Sequence, residues 1–134
     1  MGTTSTLDQA GFEAALQRLG RRARIVGVVV LDLSGTVDDE VLLRADAAVR
    51  ASVRPKDALT RVGHRFVVLL PGCASGRVAQ VACRVRDAVV AVDGSAPLVA
   101  TIGIAHGTGL DLPDVLRTAD EDLRRATWRA DRTS

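Results

Sequence analysis

The sequence predicts an α/β (α+β) domain: one antiparallel or mixed sheet with helices packed on one side. Three observations predict it. Residues 25–33 (IVGVVVLDL) are a β-branched run too apolar for a strand with one wet face, so they form a central strand buried on both sides. Residues 58–62 and 66–70 are short apolar runs with Gly63-His64 between them, the spacing of a two-residue hairpin. Stripes at helical spacing alternate with these runs, giving the order α-β-α-β-β-α-β-α. At 134 residues the chain suits one domain, with residues 1–7 as a flexible tail and 8–134 as the folded unit.

Each element has its own warrant. Asp8 can cap a helix to about Leu19, with Phe12, Ala15, Leu16 and Leu19 on one face and Gly20 at its end. After the central strand, Ser34-Gly35-Thr36 turns the chain. Asp38 or Asp39 then starts a helix to about Val53, whose inner side carries Val41, Leu42, Ala45, Ala48, Val49 and Val53; Pro55 stops it. Pro71-Gly72 closes the hairpin, and a third helix runs over about 75–90. Asp93-Gly94-Ser95 is a turn, and residues 98–104 alternate enough to be a strand. The last helix, from Leu112 to about Trp128, repeats Leu112, Val115, Leu116, Ala119, Leu123 and Ala126.

Composition narrows the function classes. Hydrophobic residues are 47% of the chain but aromatics only 2%, so the core is Val, Leu, Ile and Ala. With 18 basic against 16 acidic residues the formal charge is +2, which gives no electrostatic case for nucleic acid or an anionic membrane. Lys56 is the only lysine; the arginine excess reads as codon bias rather than a binding surface. Cys73 and Cys83 form no CxxC pair and have no histidine cluster beside them, so both are expected as free thiols in a reducing cytoplasm. Residues 1–7 do not look like a signal peptide, and no apolar run is long enough to span a bilayer.

Four stretches carry a family resemblance. Residues 57–71 (DALTRVGHRFVVLLP) resemble an Asp, a strand, Arg-Tyr, the GGDEF hairpin, an apolar strand and a Pro. Residues 100–105 (ATIGIA) are similar to "TxSIGxA", 116–126 (LRTADEDLRRA) to the closing helix "LLxxADxALYxAK", and 39–42 (DEVL) to "GDEVL". In this order they resemble the GGDEF domain of diguanylate cyclases from residue 8 to the end. The resemblance implies a cyclase-palm sandwich, a central and mainly antiparallel sheet flanked by helices, here with the helix after the first long strand truncated.

What departs from the family pattern bears on the chemistry. Family cyclases join two GTP molecules with two divalent cations, held by carboxylates at the end of the first strand and in the GGDEF turn. Here the turn is one residue shorter and reads Gly63-His64-Arg65-Phe66, so an imidazole and a guanidinium replace the acids. At an effective dielectric near 20, two unit charges about 4 Å apart interact by about 4 kcal/mol, and a divalent ion near Arg65 would feel roughly twice that as repulsion. Asp32 is a remnant of the metal position; its plainer role is to cap the turn after the strand. The family's "DxDxFKxxNDxxGHxxGD" run shrinks to residues 32–39 (DLSGTVDD), and Asp39 is left for helix capping. Thr127 replaces the closing-helix lysine, and residues 3–9 replace "LTGLxNR". The expectation is a degenerate, noncatalytic domain with no catalytic residue, no metal and no cofactor.

A second family site is implied instead. Arg54-Pro55-Lys56-Asp57 matches the RxxD inhibitory motif five residues ahead of the turn, and Arg84 falls at the position of the second arginine. Two guanidiniums and a carboxylate suit the guanines and phosphates of cyclic di-GMP. The plainer reading is a solvated Arg54–Asp57 pair with Arg84 exposed. The first expected function is therefore a noncatalytic signalling domain binding cyclic di-GMP through Arg54, Asp57 and Arg84. The alternative is a ligand-free protein-interaction or dimerisation module. A third is a STAS-type domain, which rests on residues 29–35 (VVLDLSG). His64 and His106 are expected as ordinary turn and loop histidines, and Trp128 as a cover for the end of the core or a partner surface.

Overall fold

A computed structural model describes residues 6–35, 37–92 and 98–133, with side chains as far as Trp128. The described elements are β1 (Thr6–Leu7), α1 (Gln9–Gly20), β2 (Ile25–Gly35), α2 (Asp39–Ser52), β3 (Ala58–Val62), β4 (Arg65–Pro71), α3 (Ser75–Val90), β5 (Leu98–Thr108), a 3-10 turn at Gly109–Asp111, and α4 (Leu112–Thr133). The strands form one sheet in the order β1-β3-β4-β2-β5. Only β1 and β3 pair in parallel; the other pairs are antiparallel. β2 lies between β4 and β5, and Val26 and Val28–Leu31 are almost wholly buried, as its composition requires.

Strand alternation sends β2 to two cores. Val29, Leu31 and Leu33 pack with Leu59, Phe66, Val68 and Leu70 under α2 and α3. Val26, Val28 and Val30 pack with Leu69 and Ala105 under α1 and α4. Helices thus cover both faces, which corrects the one-sided packing expected from element order. A strand apolar at every position needs cover on each side, and two helix pairs supply it. Each buried Val or Leu contributes about 1.5–3 kcal/mol before ordering costs. The stripe Val78, Val81, Ala82, Val85 and Val89 shows how α3 delivers that burial.

The helix starts follow side-chain chemistry. The Asp8 carboxylate accepts from Gly11 N at 2.8 Å, and that of Asp38 from Val41 N at 2.8 Å. Asp38 is therefore the cap; Asp39, expected in that role, is the first helical residue, where its charge meets the helix dipole favourably. The hairpin turn is Gly63-His64, flanked by the pair Val62 and Arg65. Gly63 has φ of +61° and His64 does not enter that region, the pattern of a type II′ turn.

Some expectations need correcting. Thr6–Leu7 are not tail: they pair with Leu59 and Thr60, and the Thr60 hydroxyl donates to Leu7 O. β5 continues to Thr108, so His106 lies in a strand opposite Gly27 rather than in a loop. Trp128 is 59% exposed and is not a member of either core cluster. Cys73 is buried and Cys83 exposed, both as thiols. The turn expected at 93–95, Thr36 and residues 1–5 lie outside the described residues. No described helix is long and apolar enough to cross a membrane.

Candidate functional site

Two places draw on the residues singled out in the sequence, one at each end of the central strands. At the hairpin end, the register sets Asp32 of β2 directly opposite Arg65 of β4. Arg65 Nε donates to Asp32 Oδ1 at 2.8 Å and Nη2 to Oδ2 at 3.0 Å, a two-point fork. The remaining nitrogen, Nη1, donates to Asp120 Oδ1 of α4 at 2.7 Å, and Arg124 Nη2 donates to Asp120 Oδ2 at 2.6 Å. One guanidinium thus bridges two carboxylates from different elements. Its pKa is raised, chiefly by the hydrogen bond to Asp32 and then by the charges of both carboxylates, with partial burial opposing. Asp32 is held in this fork rather than capping the turn after β2, so that expectation is corrected.

At the opposite end, Arg54 and Asp57 come together as a closed turn. Asp57 N donates to Arg54 O at 3.0 Å, and Arg54 N returns a bond to Asp57 Oδ2 at 2.7 Å. The guanidinium adds Nε to Oδ2 at 3.3 Å and Nη2 to Oδ1 at 2.9 Å, while Nη2 also reaches Pro71 O at 3.2 Å. The Asp57 side chain is 1% exposed and that of Arg54 42%. The pair is therefore not the solvated one of the plainer reading: the carboxylate is buried and, among the described residues, engaged by Arg54 alone. That bond is also the main cause of the raised Arg54 pKa. Arg84 sits exposed on α3 and donates to Ser52 O at 3.0 Å, at the end of α2 and two residues before Arg54. The structure joins the first two motif residues closely and brings the third to the same end of α2.

Sequence reasoning missed Asp120 as a partner of Arg65. The i, i+4 pair Asp120–Arg124 marks that helix face, but nothing in the sequence aims it at the hairpin.

The fold and these two clusters can be set beside known proteins. Residues 9–132 match the family model described as diguanylate cyclase, GGDEF domain. The chain belongs to the GGDEF family. That membership removes the STAS-type alternative, whose residues fall inside the match. No curated protein matches this GGDEF domain. Among solved structures it is similar to the diguanylate cyclase SiaD from Pseudomonas aeruginosa in complex with its activator SiaC, at 23% identity and TM-score 0.74, over 87% of this chain and 53% of that one. The chain thus spans about half of SiaD. It is also similar to the coiled coil and GGDEF domain of DgcB from Caulobacter crescentus in complex with c-di-GMP, at 18% identity and TM-score 0.74, over 93% and 80%. A third is the FimX GGDEF domain from Pseudomonas aeruginosa, at 16% identity and TM-score 0.77, over 94% and 91%. The palm-like fold is common to all three.

Proposed function

We propose that this GGDEF domain is a noncatalytic signalling module that binds cyclic di-GMP through Arg54 and Arg84, with Asp57 as the positioning residue. The observation that carries the noncatalytic half is the Arg65 fork. The donor set at the hairpin does not fit a pair of divalent cations: Asp32 and Asp120 share a tethered monocation, and the turn offers an imidazole instead of acids. A guanidinium there neutralises the carboxylates without the ligand exchange that phosphoryl transfer needs.

The binding half rests on the geometry at the end of α2. A buried carboxylate receiving three donations from Arg54 is not free to accept from a guanine. It can fix the plane of the guanidinium, which is 42% exposed, so that its flat face is held for stacking on a base. Arg84 supplies a second guanidinium from α3. Relatives of the same fold, DgcB among them, have been captured with this nucleotide. Titration calorimetry with cyclic di-GMP tests the assignment. Arg84→Ala should weaken binding about tenfold or more while leaving the fold intact. No heat at high micromolar nucleotide, or unchanged affinity in Arg84→Ala, would reject it.

The closed Arg54–Asp57 turn favours a second reading, in which this region is structural and the domain acts as a ligand-free interaction or dimerisation module. Light scattering after size exclusion separates the two. A dimer indifferent to the nucleotide supports the scaffold, and one that forms only with it supports the receptor.

A further inference from the structure

A cleft of about 480 Å³ opens between the end of α1, the start of β2 and the Arg54–Asp57 turn. Four cationic residues line it: Arg18 from the last turn of α1, Arg22 and Arg24 from the segment leading into β2, and Lys56 from the tip of the turn. All four are exposed, and among the described residues none of these side chains makes a hydrogen bond or ion pair. Among the other arginines with described side chains, up to Arg125, all but Arg21, beside this cleft in sequence, and Arg77 are held by carboxylates or carbonyls. The one acid in the lining, Asp57, is already neutralised by Arg54.

Arg18 alone would be explained by the negative end of the α1 dipole. Arg22, Arg24 and Lys56 belong to no helix, so a helix dipole does not account for their placement around one cleft. The backbone beneath them is fixed: Arg22 N donates to Leu19 O, Gly109 N to Arg24 O, and Gly72 N to Ile25 O. Leu7, Leu19, Ile25, Pro55 and Pro71 give the walls an apolar surface. A cationic rim over apolar walls, in a volume typical of small-molecule sites, suits an anion with an organic body. A flat anionic membrane would not enter a cleft.

We infer that this cleft binds a small phosphate-bearing ligand with two or more negative charges, held by Arg18, Arg22, Arg24 and Lys56. The inference is independent of whether Arg84 contacts cyclic di-GMP. Pyrophosphate, titrated into the whole chain at low salt, is the probe. Saturable one-to-one binding is expected, weakened about tenfold or more in the Arg22→Ala/Arg24→Ala double variant and unchanged in Arg77→Ala. These side chains are exposed, so the variants should fold, and circular dichroism checks that they do. Absence of saturable binding, or equal loss in Arg77→Ala, would overturn the inference. So would binding to phosphatidylserine vesicles that depends on Arg22 and Arg24 when pyrophosphate does not bind. If pyrophosphate binds and cyclic di-GMP does not, the cleft stands and only the Arg54–Arg84 reading falls.

Discussion

Arg65 and Asp32 face each other across β4 and β2 and meet in a two-point fork, Nε to Oδ1 and Nη2 to Oδ2. Because the pair is in register, both side chains leave the same face of the sheet, side by side. Asp120 then closes on the third guanidinium nitrogen from α4. The hairpin end is thereby tied to the helix that covers one face of the sheet.

Removing the guanidinium should loosen that tie. Arg65→Met leaves two carboxylates without their shared cation. Both partners are part exposed, so the expected cost is about 1–2 kcal/mol, less than for a buried pair. Arg65→Lys, which cannot fork, should fall between the two. The raised pKa of Arg65 places its stabilising effect below the guanidinium's ordinary titration range, to be lost only as pH rises past the folded value. From about pH 6 to about pH 9 the difference between Arg65→Met and wild type should therefore be flat. Urea midpoints across that range check both points.

Asp57 should matter to the fold before it matters to any ligand. Asp57→Ala strands the Arg54 N–H and guanidinium beside a buried position, at an expected cost of about 2 kcal/mol. Asp57→Asn, which keeps one acceptor oxygen, should cost about half as much. Chemical denaturation distinguishes these. An unchanged midpoint in Asp57→Ala would mean the turn is not held as described.

Gly103 should tolerate no side chain. A Cβ there would lie 2.3 Å from Ala119 O and 2.4 Å from Leu123 N, backbone atoms of α4 that cannot rotate away. Gly103→Ala should cost about 3 kcal/mol or more. Gly107→Ala, which meets only the Val115 side chain at 2.6 Å, should cost less. Calorimetric melting of the two variants gives the ranking, and equal losses would contradict it.

One helix start can be improved. Ala74 caps α3 in an extended conformation but offers no side-chain acceptor. Ala74→Asp should stabilise the domain by about 1 kcal/mol through a bond to an open N–H and the helix dipole. No rise in melting temperature would count against the cap geometry.

Much of this was legible in the sequence because it rests on local chemistry. The caps Asp8 and Asp38, the Gly63-His64 turn and the doubly buried run of β2 each follow from a few neighbouring residues. What failed depended on distance along the chain. Thr6–Leu7 form a strand only because β3 offers its edge, and β5 runs to Thr108 because β2 is long enough to pair with it. Asp120 meets Arg65 across 55 residues, a contact no spacing rule encodes. The cleft arginines were visible as a run near Arg21, but their convergence with Lys56 needs the fold.

In the proposed reading, Arg65 bridging Asp32 and Asp120 takes the place of the family's metal chemistry. The most direct measurement is product analysis by liquid chromatography after purified protein is incubated with GTP and Mg²⁺ or Mn²⁺. GTP should be recovered unchanged. Accumulation of cyclic di-GMP, or of its linear dinucleotide precursor, would contradict it.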